Sequence, residues 1–135
     1  MKIEPYLFFE GRADEAIEFY KTALGAKVNR VMRYKDCPDS SHPFPPELLP
    51  KVMHASLRVG NMDLLLSDGH CKDQPKFIGF ALTLNVPSDT DATKYFNALA
   101  DGGKITMPLG KTFFSSNFGM LTDRFGVQWM VIVEG

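Results

Sequence analysis

Apolar and polar residues change period several times along the chain, and each change marks an element. Residues 3–9, an almost unbroken apolar run from Ile3 to Phe9, read as a short strand that Gly11 and Arg12 break. From Ala13 the spacing becomes helical. Ala13, Ala16, Ile17, Phe19, Tyr20 and Leu24 form one stripe, Glu15, Glu18 and Lys21 the other, and Gly25 stands where a C-cap belongs. Residues 26–34 turn extended again, with Val28 and Val31 set among polar neighbours. Residues 52–59 and 62–67 read as the two arms of a hairpin around Gly60-Asn61. Between 34 and 52, segment 36–50 carries five prolines, which rule out a central strand or a long helix and predict a functional or mobile loop.

The order then repeats. After a polar connection over 68–76, residues 77–86 read as a strand. Pro87-Ser88-Asp89 starts a helix with Ala92, Tyr95, Phe96 and Leu99 on its apolar stripe, and Gly102-Gly103 ends it. Residues 104–107 and 112–114 read as strand pieces, and 118–122 with 127–133 as a closing hairpin around 123–126. Strand–helix–strand–strand–strand therefore occurs twice, and Ala16, Phe19 and Tyr20 match Ala92, Tyr95 and Phe96 at a constant offset.

Period-two alternation assigns faces. His54, Ser56 and Arg58 alternate with Ala55, Leu57 and Val59, which places the apolar set under the helices and the polar set toward a pocket or solvent. Arg58 offers a guanidinium fork for carboxylate or phosphate. Gln128, Met130 and Ile132 alternate with Trp129, Val131 and Val133 in the same way. Asp123 to Gly126 supplies the Asp and Gly that a tight turn needs, with Phe125 as a plug for the sheet end.

Composition narrows the function classes. A chain of 135 residues with net charge -1 and a pI near 6.3 has no basic field for nucleic acid or anionic membrane. No apolar run approaches the roughly 20 residues that span a bilayer, and the N-terminus has no signal-like apolar region, so the expected location is cytoplasmic. Cys37 and Cys71 are expected as free thiols there. Eleven phenylalanines against one tryptophan point to a core or pocket lined with phenyl rings. Glycine-rich dinucleotide and S-adenosylmethionine loops are missing, as is a GxSxG nucleophile elbow. His54, Asp68, His70 and Cys71 are the only cluster-like donors in mid-chain, read either as a small metal or thiol site or as a polar loop beside a strand histidine.

Several segments together resemble one family: Pro5-Tyr6-Leu7-Phe8-Phe9, Ala16-Ile17-Glu18-Phe19-Tyr20, Leu24-Gly25-Ala26, His54-Ala55, Leu65-Leu66-Ser67-Asp68, Thr122-Asp123, Phe125-Gly126-Val127 and Trp129-Met130. They are similar to the PhnB-like subgroup of the glyoxalase/bleomycin-resistance/extradiol-dioxygenase (vicinal oxygen chelate) superfamily, long labelled after a 3-demethylubiquinone methyltransferase. The resemblance implies an α+β fold of two βαβββ modules, 1–70 and 77–135, whose curled mixed sheets form a cup within one glyoxalase-like domain over 1–135. It also implies a homodimer. It leaves the activity open, because the superfamily holds lyases, dioxygenases, transferases and drug-sequestering proteins.

Catalytic members hold a divalent metal such as Zn, Fe, Mn or Ni with His, Gln or Glu. Carried onto this chain, the ligand positions fall at Pro5, at Phe80 or Ala81, at Met130, and at Ser67 or Asp68, where only Asp68 is a donor. The resemblance places the cup interior on the Met130 side and gives Phe113, Phe114 and Phe118 to its lining. The expectation is a protein that binds a small molecule in a Phe-lined cup, without metal or other cofactor, through His54, Ser56, Arg58, Phe113, Phe114, Phe118, Gln128 and Met130. The alternative is a metal-dependent lyase or dioxygenase with ligands relocated to His54 and Asp68.

Overall fold

Leu57 and Leu66, both without exposed surface, lie on one face of a sheet, while their strand neighbours Ser56 and Leu65 lie on the other. This alternation organises the first half of the protein. The structure, a computed structural model, describes residues 1–38, 43–72 and 74–134; part of the proline-rich segment, 39–42, lies outside the described residues. The chain divides into two compact units, Met1–Pro75 and Lys76–Gly135.

The first unit runs β1 (Tyr6–Phe8), α1 (Ala13–Leu24), β2 (Lys27–Arg33), β3 (Val52–Val59) and β4 (Met62–Ser67). Its sheet has the order β1-β4-β3-β2, with β1 parallel to β4 and the other neighbours antiparallel. The α1 stripe of Ala13, Ala16, Ile17, Phe19, Tyr20, Ala23 and Leu24 is buried, and Gly25 ends the helix in a left-handed conformation at φ 66°. The buried face holds Leu7, Ala55, Leu57, Leu64 and Leu66. Each such leucine stabilises the fold by about 2 kcal/mol through the apolar surface it removes from water.

The second unit repeats the plan: β5 (Leu82–Val86), α2 (Asp89–Ala100), β6 (Lys104–Gly110), β7 (Phe118–Thr122) and β8 (Gln128–Val133), in the order β5-β8-β7-β6 with β5 parallel to β8. Ser88 caps α2 by accepting a hydrogen bond from the Asp91 amide at 3.1 Å. Ala92, Phe96 and Leu99 face the sheet. Gly119 on β7 lets them approach, since a Cβ there would stand 2.7 Å from the Phe96 ring. The α+β class and the doubled βαβββ order agree with the expectation from sequence.

Several elements differ from that expectation, β6 among them, which runs on to Gly110. β1 begins only at Tyr6, because Pro5 has no amide to donate; its carbonyl instead accepts from the Leu65 amide at 3.1 Å. β5 begins at Leu82 rather than at 77, because Gly79 turns the chain at φ 87°. Residues 112–114 are a hydroxyl-capped turn, not a strand: Thr112 Oγ1 accepts from the amides of Phe114 and Ser115 at 3.3 and 3.1 Å. α2 is closed by Asp101, ahead of Gly102-Gly103.

Candidate functional site

α1 lies on one face of the first sheet, and the other face is open. On that open face Tyr6 and Phe8 of β1 stand beside Leu65 and Ser67 of β4, and Ser56 of β3 beside Leu65. His54 and Ser56 are half-buried and Arg58 is exposed, whereas Ala55 and Leu57 are fully buried, as the alternation predicts.

Two shallow depressions mark this face. One, of about 480 Å³, is lined by Tyr6, Phe8, Glu10, Tyr34, Met53, Ser67, Gly69, His70 and Lys72. The other, of about 490 Å³, is lined by Lys2, Glu4, Asn29, Arg30, His54, Ser56, Arg58, Asp63 and Leu65. A β-bulge explains how neighbours in sequence reach different depressions. Met32 pairs with His54 and Arg33 with Val52, so Met53 is an extra residue in β3. The depressions meet where Tyr6 Oη lies 3.0 Å from His54 Nδ1, with the rings 5.6 Å apart.

Arg58 is not a free anion fork. Its Nε lies 3.0 Å from Asp63 Oδ1, and Asn29 donates to both Asp63 Oδ1 and Ser56 Oγ, at 3.0 and 3.1 Å. Arg30, on the same depression, has no ion pair among the described residues.

Asp68 has a structural task that sequence spacing did not reveal. Its carboxylate is 1% exposed. Oδ1 accepts from the amides of Gly11 and Ala13 at 2.9 and 2.8 Å, and Oδ2 from the amide of Val52 at 2.8 Å. It thus caps α1, whose own N-cap residue Arg12 makes no side-chain cap, and ties the helix start to β3 and the end of β4. The structure does not bring Asp68 to His54 as a ligand pair: the carboxylate is spent on amides, and His54 Nδ1 meets Tyr6. His70 lines the first depression, and Cys71 sits behind it in a left-handed turn at φ 58°. Burial pushes the Cys71 thiol up, and the nearby Asp68 charge adds to this. Among the described residues no group of three or more His, Cys, Asp or Glu converges as a metal cage.

The second sheet also has an open face. Gln128, Met130 and Ile132 are half-buried there, and Trp129, Val131 and Val133 are buried beneath. Met130 lies between Thr83 and Met120, and Ile132 pairs with Phe118. Gln128 Nε2 donates to the Phe77 carbonyl at 3.2 Å. Phe114 packs edge-on against Phe118 with centroids 5.1 Å apart. Phe113 is 100% exposed and packs edge-on against Phe114 with centroids 5.1 Å apart. Asp123, 3% exposed, accepts from the amides of Phe125 and Val127 on Oδ1 and from Trp129 Nε1 on Oδ2 at 3.0 Å, which makes the 123–126 segment a buried turn lock.

The metal positions that the resemblance implied do not fit a metal. Pro5 offers only a carbonyl already bonded to β4, Phe80 and Met130 are not ligands for a hard cation, and Asp68 is buried and already accepts from three backbone amides. Sequence reasoning passed over Tyr6, Phe8, Glu10, Arg30, Tyr34 and Met53. Leu7 and Phe9 are buried and Tyr6 and Phe8 exposed, a split that an all-apolar run does not mark in sequence.

Residues 1–132 match the sequence pattern of the 3-demethylubiquinone-9 3-methyltransferase family. Protein YjdN of Escherichia coli K12 is 32% identical over 98% of this chain and 95% of its own. Among solved structures, protein PA1353 from Pseudomonas aeruginosa is 42% identical with a TM-score of 0.87, covering 99% of this chain and 98% of that one. The PhnB protein from Bacillus cereus is 28% identical with a TM-score of 0.80, over 98% and 99%. More distant glyoxalase-superfamily structures share the fold alone, at TM-scores of 0.64 and 0.70.

Proposed function

We propose, from the premise that the chain belongs to the 3-demethylubiquinone-9 3-methyltransferase family, the PhnB-like branch of the glyoxalase/bleomycin-resistance/dioxygenase superfamily, that it binds a small organic molecule on the open faces of its curled sheets and does so without a metal ion. The observation that carries this reading is the pairing of faces: in each unit a helix seals one side of the sheet, while aromatic, thioether and polar side chains stand half-exposed on the other. Tyr6, Phe8 and Met53 in the first unit, and Phe114, Met120 and Met130 in the second, give flat or apolar ligands adaptable surfaces. His54, Ser56 and Arg30 give polar ends a place to bond. Gln128 and Phe118 serve as supports, since one is bonded to Phe77 and the other is buried.

The family's name implies a methyl donor, and the residues do not fit one. Helix starts after a first strand cradle nucleotide-type cofactors in many transferases. Here Asp68 already occupies the amides at the start of α1. Relocated metal ligands at His54 and Asp68 gain no support, for the same reason. The reading includes a homodimer in the cytoplasm, where Cys37 and Cys71 stay as thiols; the edge strand β6 with exposed Ile105 and Met107 is the surface offered to a second copy. Calorimetric titration with 2-naphthol, before and after exhaustive chelation, tests the reading. Equal, saturable binding in both preparations is expected. Absence of binding, or binding restored only by added metal, overturns it.

A further inference from the structure

Glu10 carries, in its Oε2, the one buried side-chain oxygen without a hydrogen-bond partner among the described residues. It follows β1 and holds φ 49°, a left-handed conformation that is strained for any residue with a side chain. Its Oε1 leans on Gly69, where a Cβ would stand only 2.9 Å away, so the glycine makes room for the carboxylate. A chain of this size can place an acid in water at little cost. Strain, burial and a missing partner at one residue all work against stability, and they coincide on the wall of the 480 Å³ depression.

The surroundings specify what would complete it. Tyr6 and Phe8, with ring centroids 5.0 Å apart, and Tyr34, braced edge-on by Phe44 at 4.7 Å, line the same space with Met53. The Tyr34 hydroxyl is committed to the Gly69 carbonyl, so its ring rather than its oxygen faces a ligand. Aromatic faces attract cations, and an unpartnered carboxylate needs a donor. Lys72 and His70 are the basic groups on this wall; both are exposed, and neither pairs with Glu10.

We propose that this depression is an organic-ammonium site, in which Glu10 accepts the N–H donors of a protonated amine while Tyr6, Phe8 and Tyr34 flank its carbon stem. The proposal rests on the small-molecule reading above and names its ligand class. In the proposed complex the Glu10 carboxylate rotates about its last side-chain bond, bringing the buried Oε2 into the depression.

Titration of the full chain with benzylammonium, benzyl alcohol and phenylacetate separates the two claims. The expected result is saturable benzylammonium binding at least tenfold tighter than either analogue, reduced at least tenfold in Glu10→Gln. That variant keeps shape and removes charge, and its melting temperature without ligand is expected to equal or exceed the parent's. Phe8→Ala is expected to weaken all three probes. Equal binding of the ammonium and the alcohol, or a Glu10→Gln variant that binds benzylammonium as the parent does, overturns the ammonium site and leaves the small-molecule reading standing. Preferential binding of phenylacetate overturns it as well. Binding of none of the aromatic probes, 2-naphthol included, overturns both.

Discussion

Tyr6 Oη and His54 Nδ1 lie 3.0 Å apart across the sheet, one from β1 and the other from β3, although 48 residues separate them. The contact joins an aromatic depression to a polar one and holds both rings upright on the open face. Tyr6→Phe removes this bond at a site open to water, so stability should stay within about 0.5 kcal/mol of the parent. Affinity for 2-naphthol should fall about fivefold, the worth of one hydrogen bond that fixes a ligand-facing ring. Chemical denaturation and calorimetry on the same variant check both statements.

Asp68 is expected to behave as a keystone. Asp68→Ala leaves the amides of Gly11, Ala13 and Val52 without their acceptor in a buried place, and the expected loss is on the order of 4 kcal/mol. Asp68→Asn should recover part of it, because the amide keeps one acceptor oxygen but turns a donor toward donors. Urea unfolding measures both. Chelation should leave the parent's midpoint unchanged, whereas a ligand role for Asp68 would make the midpoint metal-dependent.

Asp123 anchors the single tryptophan. Asp123→Asn exchanges an acceptor for a mixed amide in a buried turn, with an expected cost of about 2 kcal/mol. The emission of Trp129 should shift as its Nε1–H loses the carboxylate, and an unchanged spectrum would contradict this assignment.

The Asp14–Arg33 pair sets an acid limit. Both terminal guanidinium nitrogens of Arg33 donate to the Asp14 oxygens at 2.9 Å, and this hydrogen-bonded pairing holds the Asp14 carboxyl below its ordinary 3.8. A lowered acid contributes stability that is complete above 3.8 and is lost as pH falls through its folded-state value. The stability gap between the parent and Asp14→Asn should therefore be constant near neutrality and narrow as pH falls below 3.8. Because Asp14 is largely exposed, salt should narrow the gap too. Denaturation midpoints across pH and ionic strength check this.

The alternation of Ala55 and Leu57 with His54 and Ser56, and of Trp129 and Val131 with Gln128 and Met130, was legible because a half-covered sheet writes its two faces into a period of two. α1 and its Gly25 stop were legible for the same kind of reason. The roles of Asp68 and Asp123 were not, since their partners are backbone amides, which every residue carries and no side-chain pattern marks. Glu10 stayed hidden because its strain is a backbone angle. Met53 stayed hidden because a bulge breaks the alternation that would have assigned its face. Arg58 was legible as a charge on the open face, but its quenching by Asp63 depends on a cross-strand register that sequence alone leaves free.

Binding of an organic ligand on the open sheet faces without metal is read by the methyl resonances of the seven methionines in the chelated protein titrated with 2-naphthol. Met53, Met120 and Met130, on the open faces, should shift with one saturation curve or more, while Met62, beside the β3–β4 turn, should stay in place. Shifts confined to Met62, or no shift until a divalent metal is added, would contradict the claim.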